Sequence, residues 1–301
     1  MASFDERPRS ATTSRFSKTS SLDCDQGCFG SCTRGSPIVA YNLAVLCYVM
    51  HVNRRTDNQR WRFSMSSTLN NAHSFLVSVA RGGRGLMVTP HALANPPRPE
   101  EPIELYHFEA CPFCRKVREV LSELDLEYVS RPCTKGEGEN RAFVRSKGGK
   151  EQFPFLVDPN TGAEMFESED IIDYLAQTYG GGRSTLGKLA SPINTATAVA
   201  AGLLRHRGAR LRRGANDQPK PDEMLVLYNF EASPYCRKVR ETLDELGLDA
   251  LVKNVAKKSK RRPELVERGG KMLVPYLADP NTGQEMYESD DIVAYLEETY
   301  G

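Results

Sequence analysis

The residues best suited to do chemistry in this sequence are two cysteines in a CPFC motif, Cys111 and Cys114. A thiolate attacks disulfides, and a helix N-terminus lowers the pKa of a cysteine because the helix dipole stabilises the anion. Pro112 favours a helix that begins directly after Cys111, which would place Cys114 one turn on, where it can resolve a mixed disulfide. We expect Arg115 and Lys116 to add positive charge near the thiol. The motif therefore predicts thiol–disulfide exchange with Cys111 as nucleophile; a buried non-catalytic pair and a metal site are the alternatives.

The stretch that holds this motif occurs twice in the chain. FEACPFCRKVRE at 108–119 recurs as FEASPYCRKVRE at 230–241, and a second block at 153–180 recurs at 274–301. The second copy carries Ser233 in place of Cys111. A serine hydroxyl does not ionise near neutral pH, so the second copy is not expected to begin disulfide exchange.

Both repeats give the same order of predicted elements, β-α-β-α-β-β-α. Apolar residues at helical spacing predict the buried face of the first helix: they are Val117, Val120, Leu121 and Leu124. The sequence DPNTG predicts a turn between the last two strands. Ser168 and Ser289 are predicted to cap the final helices, which run to Tyr179 and Tyr300.

Three landmarks in both copies resemble the thioredoxin-like N-terminal domain of glutathione transferases. They are the C/S-P-[FY]-C motif, a proline before the third strand and a Glu-Ser pair that opens the last helix. The CPFC form also resembles glutaredoxins, and the tandem arrangement resembles plant and algal plastid proteins. The resemblance implies an α/β fold of two tandem thioredoxin-like domains, without the all-helical C-terminal domain of transferases. For CPFC it adds one more alternative, an iron–sulfur cluster shared between subunits.

The same resemblance implies a glutathione site in each repeat. A cis proline would turn the preceding residue's backbone toward the cysteinyl part of glutathione, and the Glu-Ser pair would hold its γ-glutamyl group. The residues implied are Phe153, Pro154, Glu167 and Ser168 in the first repeat, and Val274, Pro275, Glu288 and Ser289 in the second. Simple turn prolines and ordinary serine caps are the alternatives. Ser233 would donate a hydrogen bond to the glutathione thiolate, as in several transferase classes; otherwise the second repeat is a structural partner.

The chain of 301 residues has a net charge of +1 that is unevenly distributed. Residues 1–99 carry +7 and residues 181–222 carry +6, which leaves −12 for the two repeats. The acidic repeats argue against nucleic acid as a partner. The longest apolar run, at 38–50, is shorter than the roughly 20 residues that span a bilayer.

The composition predicts four segments: a disordered leader at 1–99, domains at 100–180 and 223–301, and a basic linker at 181–222. The leader is rich in Arg and Ser, which is typical of a transit peptide and predicts a soluble chloroplast protein that begins near residue 90–100. A plain disordered tail is the alternative, as are a mitochondrial or a cytoplasmic location. The linker could be helical and is predicted to be solvated or to pack on the repeats; contact with an anionic membrane surface is the alternative.

The leading hypothesis is a glutathione-binding, glutaredoxin-like thiol–disulfide oxidoreductase with its redox site in the first repeat. Glutathione would be its cosubstrate, and a protein or small-molecule disulfide its substrate; no resident metal is predicted. One alternative is a non-catalytic glutathione-binding or scaffold protein. The other is a glutathione transferase that acts through Ser233.

Overall fold

The computed structural model describes residues 67–79, 81–94, 97–182 and 191–301, all within the compact unit Phe63–Gly301. Two helices precede the first repeat: α1 (Ser67–Val79) and α2 (Pro90–Leu93). The first repeat follows as β1 (Ile103–His107), α3 (Pro112–Glu123), β2 (Tyr128–Pro132), α4 (Glu139–Gly148), β3 (Phe155–Asp158), β4 (Ala163–Met165) and α5 (Ser168–Tyr179).

The second repeat has the same order of elements and is preceded by a helix of its own. That helix is α6 (Ser191–Leu204), and a short 3-10 turn, Ala215–Asp217, follows it. The repeat continues as β5 (Leu225–Asn229), α7 (Pro234–Leu246), β6 (Ala250–Asn254), α8 (Arg262–Gly269), β7 (Tyr276–Asp279), β8 (Gln284–Met286) and α9 (Ser289–Tyr300). The β-α-β-α-β-β-α order predicted from the sequence is confirmed in both copies.

The last helices begin where the sequence predicts, but their caps differ from the prediction. Ser168 and Ser289 are the first helical residues, and the N-cap positions belong to Glu167 and Glu288, whose side chains make no capping hydrogen bond. Both glutamates have a positive φ, 66° and 64°. This left-handed backbone shifts the cap by one residue and leaves each serine nearly buried inside the first turn.

The strands of both repeats form one continuous eight-stranded sheet in the order β4-β3-β1-β2-β6-β5-β7-β8. Within the repeats, β1 and β2 pair parallel, as do β5 and β6, and the other neighbouring strands pair antiparallel. The repeats join where β2 and β6 pair antiparallel, with Tyr128 opposite Val252 and Ser130 opposite Ala250. Val252 and Ala256 of the second repeat also pack into the core of the first. The two repeats therefore share a sheet and part of a core.

The helices that precede the repeats cross over to the opposite repeat. Helix α1 packs on α7, and α6 packs on α3. The Ser74 hydroxyl of α1 donates to the Pro234 carbonyl oxygen at 2.8 Å. After α1, Arg81 pairs with Glu119 in α3 at 2.5 Å, while Arg205 pairs with Glu241 in α7 at the matching position. The repeat unit of the structure thus includes the preceding helix.

This arrangement corrects the prediction of a leader disordered over 1–99. Val88 and Ala92 are buried in the core of the first repeat, with exposures of 1% and 0%. Residues 1–66, including Cys24, Cys28, Cys32 and Cys47, lie outside the described residues. Residues 67–99 contain no acidic residue. This does not distinguish a packed element from a presequence, because both can be poor in acids and rich in small apolar residues.

A buried cluster of charges lies between the repeats. Arg118 contacts Glu109 at 2.9 Å and Glu231 at 3.1 Å, and Arg240 contacts the same two carboxylates at 3.0 and 3.1 Å. All four side chains are at most 3% exposed. Burial alone would lower the pKa of Arg118, but the two glutamates hold it well above its ordinary value. Each carboxylate therefore bridges an arginine of its own repeat and one of the other.

The DPNTG turn owes its geometry to a buried aspartate at the end of β3. Asp158 accepts hydrogen bonds from Tyr174 at 2.7 Å, Tyr179 at 2.6 Å and the Asn160 backbone N–H at 2.9 Å. The second repeat repeats these contacts around Asp279. Burial opposes ionisation, but these donors lower the pKa of both aspartates. The turn thereby ties the last strands to the last helix.

We expect Asp158→Ala to lower the free energy of unfolding by about 1–3 kcal/mol, because it leaves two tyrosine hydroxyls without their acceptor. Denaturant titration at pH 7 measures this, and Asp279→Ala is expected to have a similar effect. Because a lowered pKa stabilises the fold only while the group is ionised, this contribution is present above pH ~4, near the unfolded pKa, and is lost as pH falls further. A change below ~0.5 kcal/mol for both variants would contradict this role.

Candidate functional site

The first candidate site is built at the N-terminus of α3. Cys111 is the N-cap residue, and its Sγ accepts a hydrogen bond from the Cys114 backbone N–H at 3.3 Å. Helix α3 begins at Pro112, as predicted, because proline has no N–H to leave unpaired at that position. Its predicted apolar face is buried in the core. The helix thus aims its free N–H groups at the Cys111 sulfur.

The two thiols of CPFC have opposite tendencies to ionise. The hydrogen bond from the Cys114 thiol lowers the pKa of Cys111; burial opposes it, and the backbone N–H groups of Cys114 and Phe113 lower the pKa further. Burial raises the pKa of Cys114 well above its ordinary value. Cys111 is 5% exposed and Cys114 fully buried. This geometry separates an ionisable thiol from a protonated partner one turn away.

The basic residues after the motif act differently from the prediction. Arg115 pairs with Glu119 at 3.3 Å, and Lys116 pairs with Glu169 and donates to Thr195 Oγ1 at 2.8 Å. Their charges are therefore compensated locally. Glu169 lies in the first turn of α5, so this ion pair links α3 to α5.

Of the predicted glutathione-site residues of the first repeat, Phe153 lies beside the Cys111 thiol. The Phe153–Pro154 peptide bond is cis, which confirms that prediction. The Phe153 carbonyl oxygen lies 3.9 Å from Cys111 Sγ, and the Phe153 ring packs edge-on against Phe108. The backbone before the cis proline therefore lies next to the sulfur.

The Glu-Ser pair of the first repeat opens α5. Glu167 is exposed and accepts a hydrogen bond from the Gln152 side chain, one residue before Phe153. Ser168 is buried in the first turn, whose backbone N–H groups have no partner in the helix ladder itself. These positions can bind a carboxylate through the helix N-terminus.

The second repeat reproduces this arrangement around a hydroxyl. Ser233 caps α7, and its Oγ accepts from the Cys236 backbone N–H at 3.2 Å. Burial raises the pKa of the Cys236 thiol. The Val274–Pro275 bond is cis, and Glu288 and Ser289 open α9 as their counterparts open α5. The second repeat thus keeps the shape of the site without an ionisable nucleophile.

The linker helix α6 covers one side of the Cys111 loop, a contact with the site that the sequence did not predict. Gly202 in α6 lies against this loop so closely that an added Cβ would be 3.1 Å from the Ala110 carbonyl oxygen. Ala198 and Ala201 of the same helix are buried against α3. These small residues allow the close approach. One face of the linker helix therefore packs on the repeats, as one of the sequence-based interpretations expected.

In the described part of the chain, no three potential metal ligands come together. Nor is any helix of that part long and apolar enough to cross a membrane. His107, a residue that the sequence did not single out, lies buried between Ser130 and Arg118. Burial lowers its pKa well below the ordinary value, so it is a neutral core residue.

Comparison with known proteins was made at the level of families, sequences and solved structures. The family model for the N-terminal domain of glutathione S-transferases matches residues 105–183 and 227–301. No curated protein matches the sequence. Solved structures that match include the trimeric glutathione transferase TDR1 of Leishmania, with 15% identity over 66% of this chain and 68% of that one, and a TM-score of 0.26.

A second solved structure that matches is the glutathione transferase BmGSTD1 of Bombyx mori, with 19% identity over 58% of this chain and 93% of that one, and a TM-score of 0.26. With TM-scores this low, neither structure supports an inference about this chain. The family match covers both repeats and just over half of the residues. The chain therefore belongs to the family defined by the glutathione S-transferase N-terminal domain.

Proposed function

We propose that this protein is a glutathione-dependent thiol–disulfide oxidoreductase whose redox pair is Cys111 and Cys114. The observation that supports this best is the position of Cys111 at the start of α3, with a lowered pKa beside a buried, protonated Cys114. In this proposal, a groove for glutathione runs from the Phe153 carbonyl oxygen, which lies 3.9 Å from this sulfur, toward the start of α5. Membership in a family of glutathione transferase domains supports glutathione as the cosubstrate.

In the proposed reaction, the Cys111 thiolate attacks one sulfur of a disulfide, and the other sulfur leaves as a thiolate that takes up a proton. Cys114 then loses its proton and attacks the mixed disulfide, which releases the second thiol and leaves a Cys111–Cys114 disulfide. Two glutathione molecules reduce this disulfide and become glutathione disulfide. Electrons thus pass from glutathione to the substrate.

Glutathione would bind in an extended form along the groove. Its cysteinyl backbone would pair with the Phe153 backbone beside Pro154, as a strand adds to a sheet edge. Its γ-glutamyl carboxylate would lie at the α5 N-terminus near Ser168, and its ammonium group near Glu167. In the second repeat, Val274, Pro275, Glu288 and Ser289 offer the same set of groups.

One observation favours a second candidate function. Ser233 occupies the N-cap position that Cys111 holds in the first repeat, with its hydroxyl free to donate. A hydroxyl there could stabilise the thiolate of bound glutathione and support its transfer to an electrophile. A glutathione transferase acting through Ser233 is therefore the alternative.

The deciding experiment measures glutathione-dependent reduction of hydroxyethyl disulfide, and binding of glutathione by calorimetry, for the wild type, Cys111→Ser and Ser233→Ala. We expect reduction by the wild type and Ser233→Ala. Absence of both reduction and binding would leave a scaffold role and overturn the proposal. Conjugation of an electrophile that survives Cys111→Ser but not Ser233→Ala would establish the transferase instead.

We further propose that the protein acts in plastids and that any transit segment ends before Ser67. The supporting observation is that Arg81 pairs with buried Glu119, while Val88 and Ala92 fill the core. Cleavage near 90–100 would leave the Glu119 carboxylate without Arg81 and expose apolar surface. N-terminal sequencing of the protein from isolated chloroplasts tests this; a mature start beyond residue 67 would contradict it.

A further inference from the structure

A small cavity lies beside the Cys111 loop, where α1, α3, α6 and α7 meet. Its volume is about 10 Å³, enough for roughly one water-sized particle. Four arginines reach it: Arg115, Arg205, Arg207 and Arg237. The carboxylates that line it are those of Glu109 and Glu241. Cys111 also lines the cavity, so the lining carries an excess of two positive charges while this thiol is protonated and of one when it is ionised.

Both carboxylates already have arginine partners. Arg205 binds both oxygens of Glu241, and Arg240, from outside the cavity, binds both oxygens of Glu109. Neither glutamate is therefore free to neutralise a further guanidinium in full.

Arg237 is the arginine with the poorest set of partners. It is 2% exposed; its Nη1 donates to the Ser74 carbonyl oxygen at 3.1 Å, and its Nε is 3.4 Å from Glu109 without forming a hydrogen bond. Among the described residues, nothing accepts a hydrogen bond from its Nη2. Burial, and after it the positive charge of Arg115, lower the pKa of Arg237 to about 9.

Arg115, the equivalent residue of the first repeat, has a hydrogen-bonded carboxylate partner that Arg237 lacks. Arg115 donates to Glu119 at 3.3 Å and lies 3.8 Å from Glu231. Arg237 has no such bond to Glu241, its corresponding partner. A guanidinium buried without a full counter-charge is costly, and a bound anion is the ordinary way to remove that cost.

We propose that this cavity binds one monatomic anion, chloride in ordinary solution, held by Arg237 and Arg115. The small volume favours a monatomic anion over sulfate, phosphate or a carboxylate. Arg207, whose side chain is 46% exposed, stands at the rim and provides a charged route from solvent. Cys111 lines this cavity, whereas the proposed glutathione groove lies on the Phe153 side of Cys111.

The test uses the full chain and bromide as the probe. Crystals grown in sodium bromide are expected to show an anomalous peak between Arg115 and Arg237. The melting temperature in 200 mM chloride is expected to exceed that in gluconate of equal ionic strength by roughly 2–5 °C. In Arg237→Gln this difference should vanish, whereas Arg268→Gln, which removes a surface pair with Glu285, should keep it.

A cavity that holds only water in bromide-grown crystals would overturn the proposal, as would equal melting temperatures of the wild type in the two salts. Should Arg237→Gln fail to fold, the wild-type crystals still decide the question. Bromide peaks elsewhere on the surface represent adventitious ions and would not support this site.

Discussion

Replacing Arg118 by methionine is expected to lower the free energy of unfolding by about 3–5 kcal/mol. The substitution keeps an apolar stem of similar length but removes the charge that binds Glu109 and Glu231 at 2.9 and 3.1 Å. Arg240, with only the more distant Arg237 and Arg115, would then face two buried carboxylates. An incompletely compensated buried charge costs far more than the lost attraction of a surface pair. Equilibrium denaturation at pH 7 gives the value.

The control for this prediction is Arg268→Met, which removes an exposed pair with Glu285 and should cost less than ~1 kcal/mol. The double variant Arg118→Met with Glu231→Gln should recover part of the loss, because it no longer buries an unpaired carboxylate. If Arg118→Met and Arg268→Met cost the same, the cluster does not join the repeats in the way its geometry indicates.

Replacing Cys111 by serine is expected to reduce glutathione-dependent disulfide reduction by at least about 1,000-fold, because the hydroxyl does not form the attacking anion. The stability of the fold should change little, since Ser233 fills the same N-cap position in the second repeat. In the wild type, alkylation by iodoacetamide should titrate below the ordinary cysteine pKa of ~8.5, owing to the lowered pKa of Cys111. Cys114 and Cys236 should react slowly at any pH below this value.

The second repeat supplies a matched variant for this prediction. Ser233→Cys places a thiol at the same helix start, one turn from Cys236, and should create a second redox pair. Thiol counting after mild oxidation should then show two more thiols lost than in the wild type. If the new thiol has an ordinary pKa and forms no disulfide with Cys236, the helix start is insufficient to activate a cysteine in this fold.

The sequence predicts the elements and the local site well, because both depend on near neighbours along the chain. The stripe of Val117 and Leu121 defines the buried face of α3, and the CPFC spacing alone places Cys111 at its start. The prolines Pro154 and Pro275 required the family resemblance, since sequence alone does not distinguish cis from trans.

The joining of the repeats could not be predicted in the same way. Arg118 has the pattern of an exposed helical arginine, and its partner Glu231 lies 113 residues away. One signal was available: Glu109 and Arg118 recur as Glu231 and Arg240, although ordinary surface charges need not be preserved between copies. Helix α1, and its equivalence to the linker helix α6, escaped notice because their sequences differ, while Arg81 and Arg205, which follow them, make equivalent contacts to Glu119 and Glu241.

The pairing of β2 with β6 determines how a severed half of this chain would behave. Each strand satisfies the hydrogen-bonding edge of the other, and the sheet ends on β4 and β8, only three residues long each. A half-chain made by proteolysis or an early stop would expose a full-length strand edge beside unpaired buried charges, and such an edge promotes aggregation.

Dimerisation is the other outcome for such a fragment. The two repeats pair antiparallel across an approximate two-fold axis, so two identical copies of one repeat could pair through the same strand edge. A truncated first half would then form a homodimer with two CPFC motifs, so loss of the second repeat could double the number of thiol pairs in the assembly.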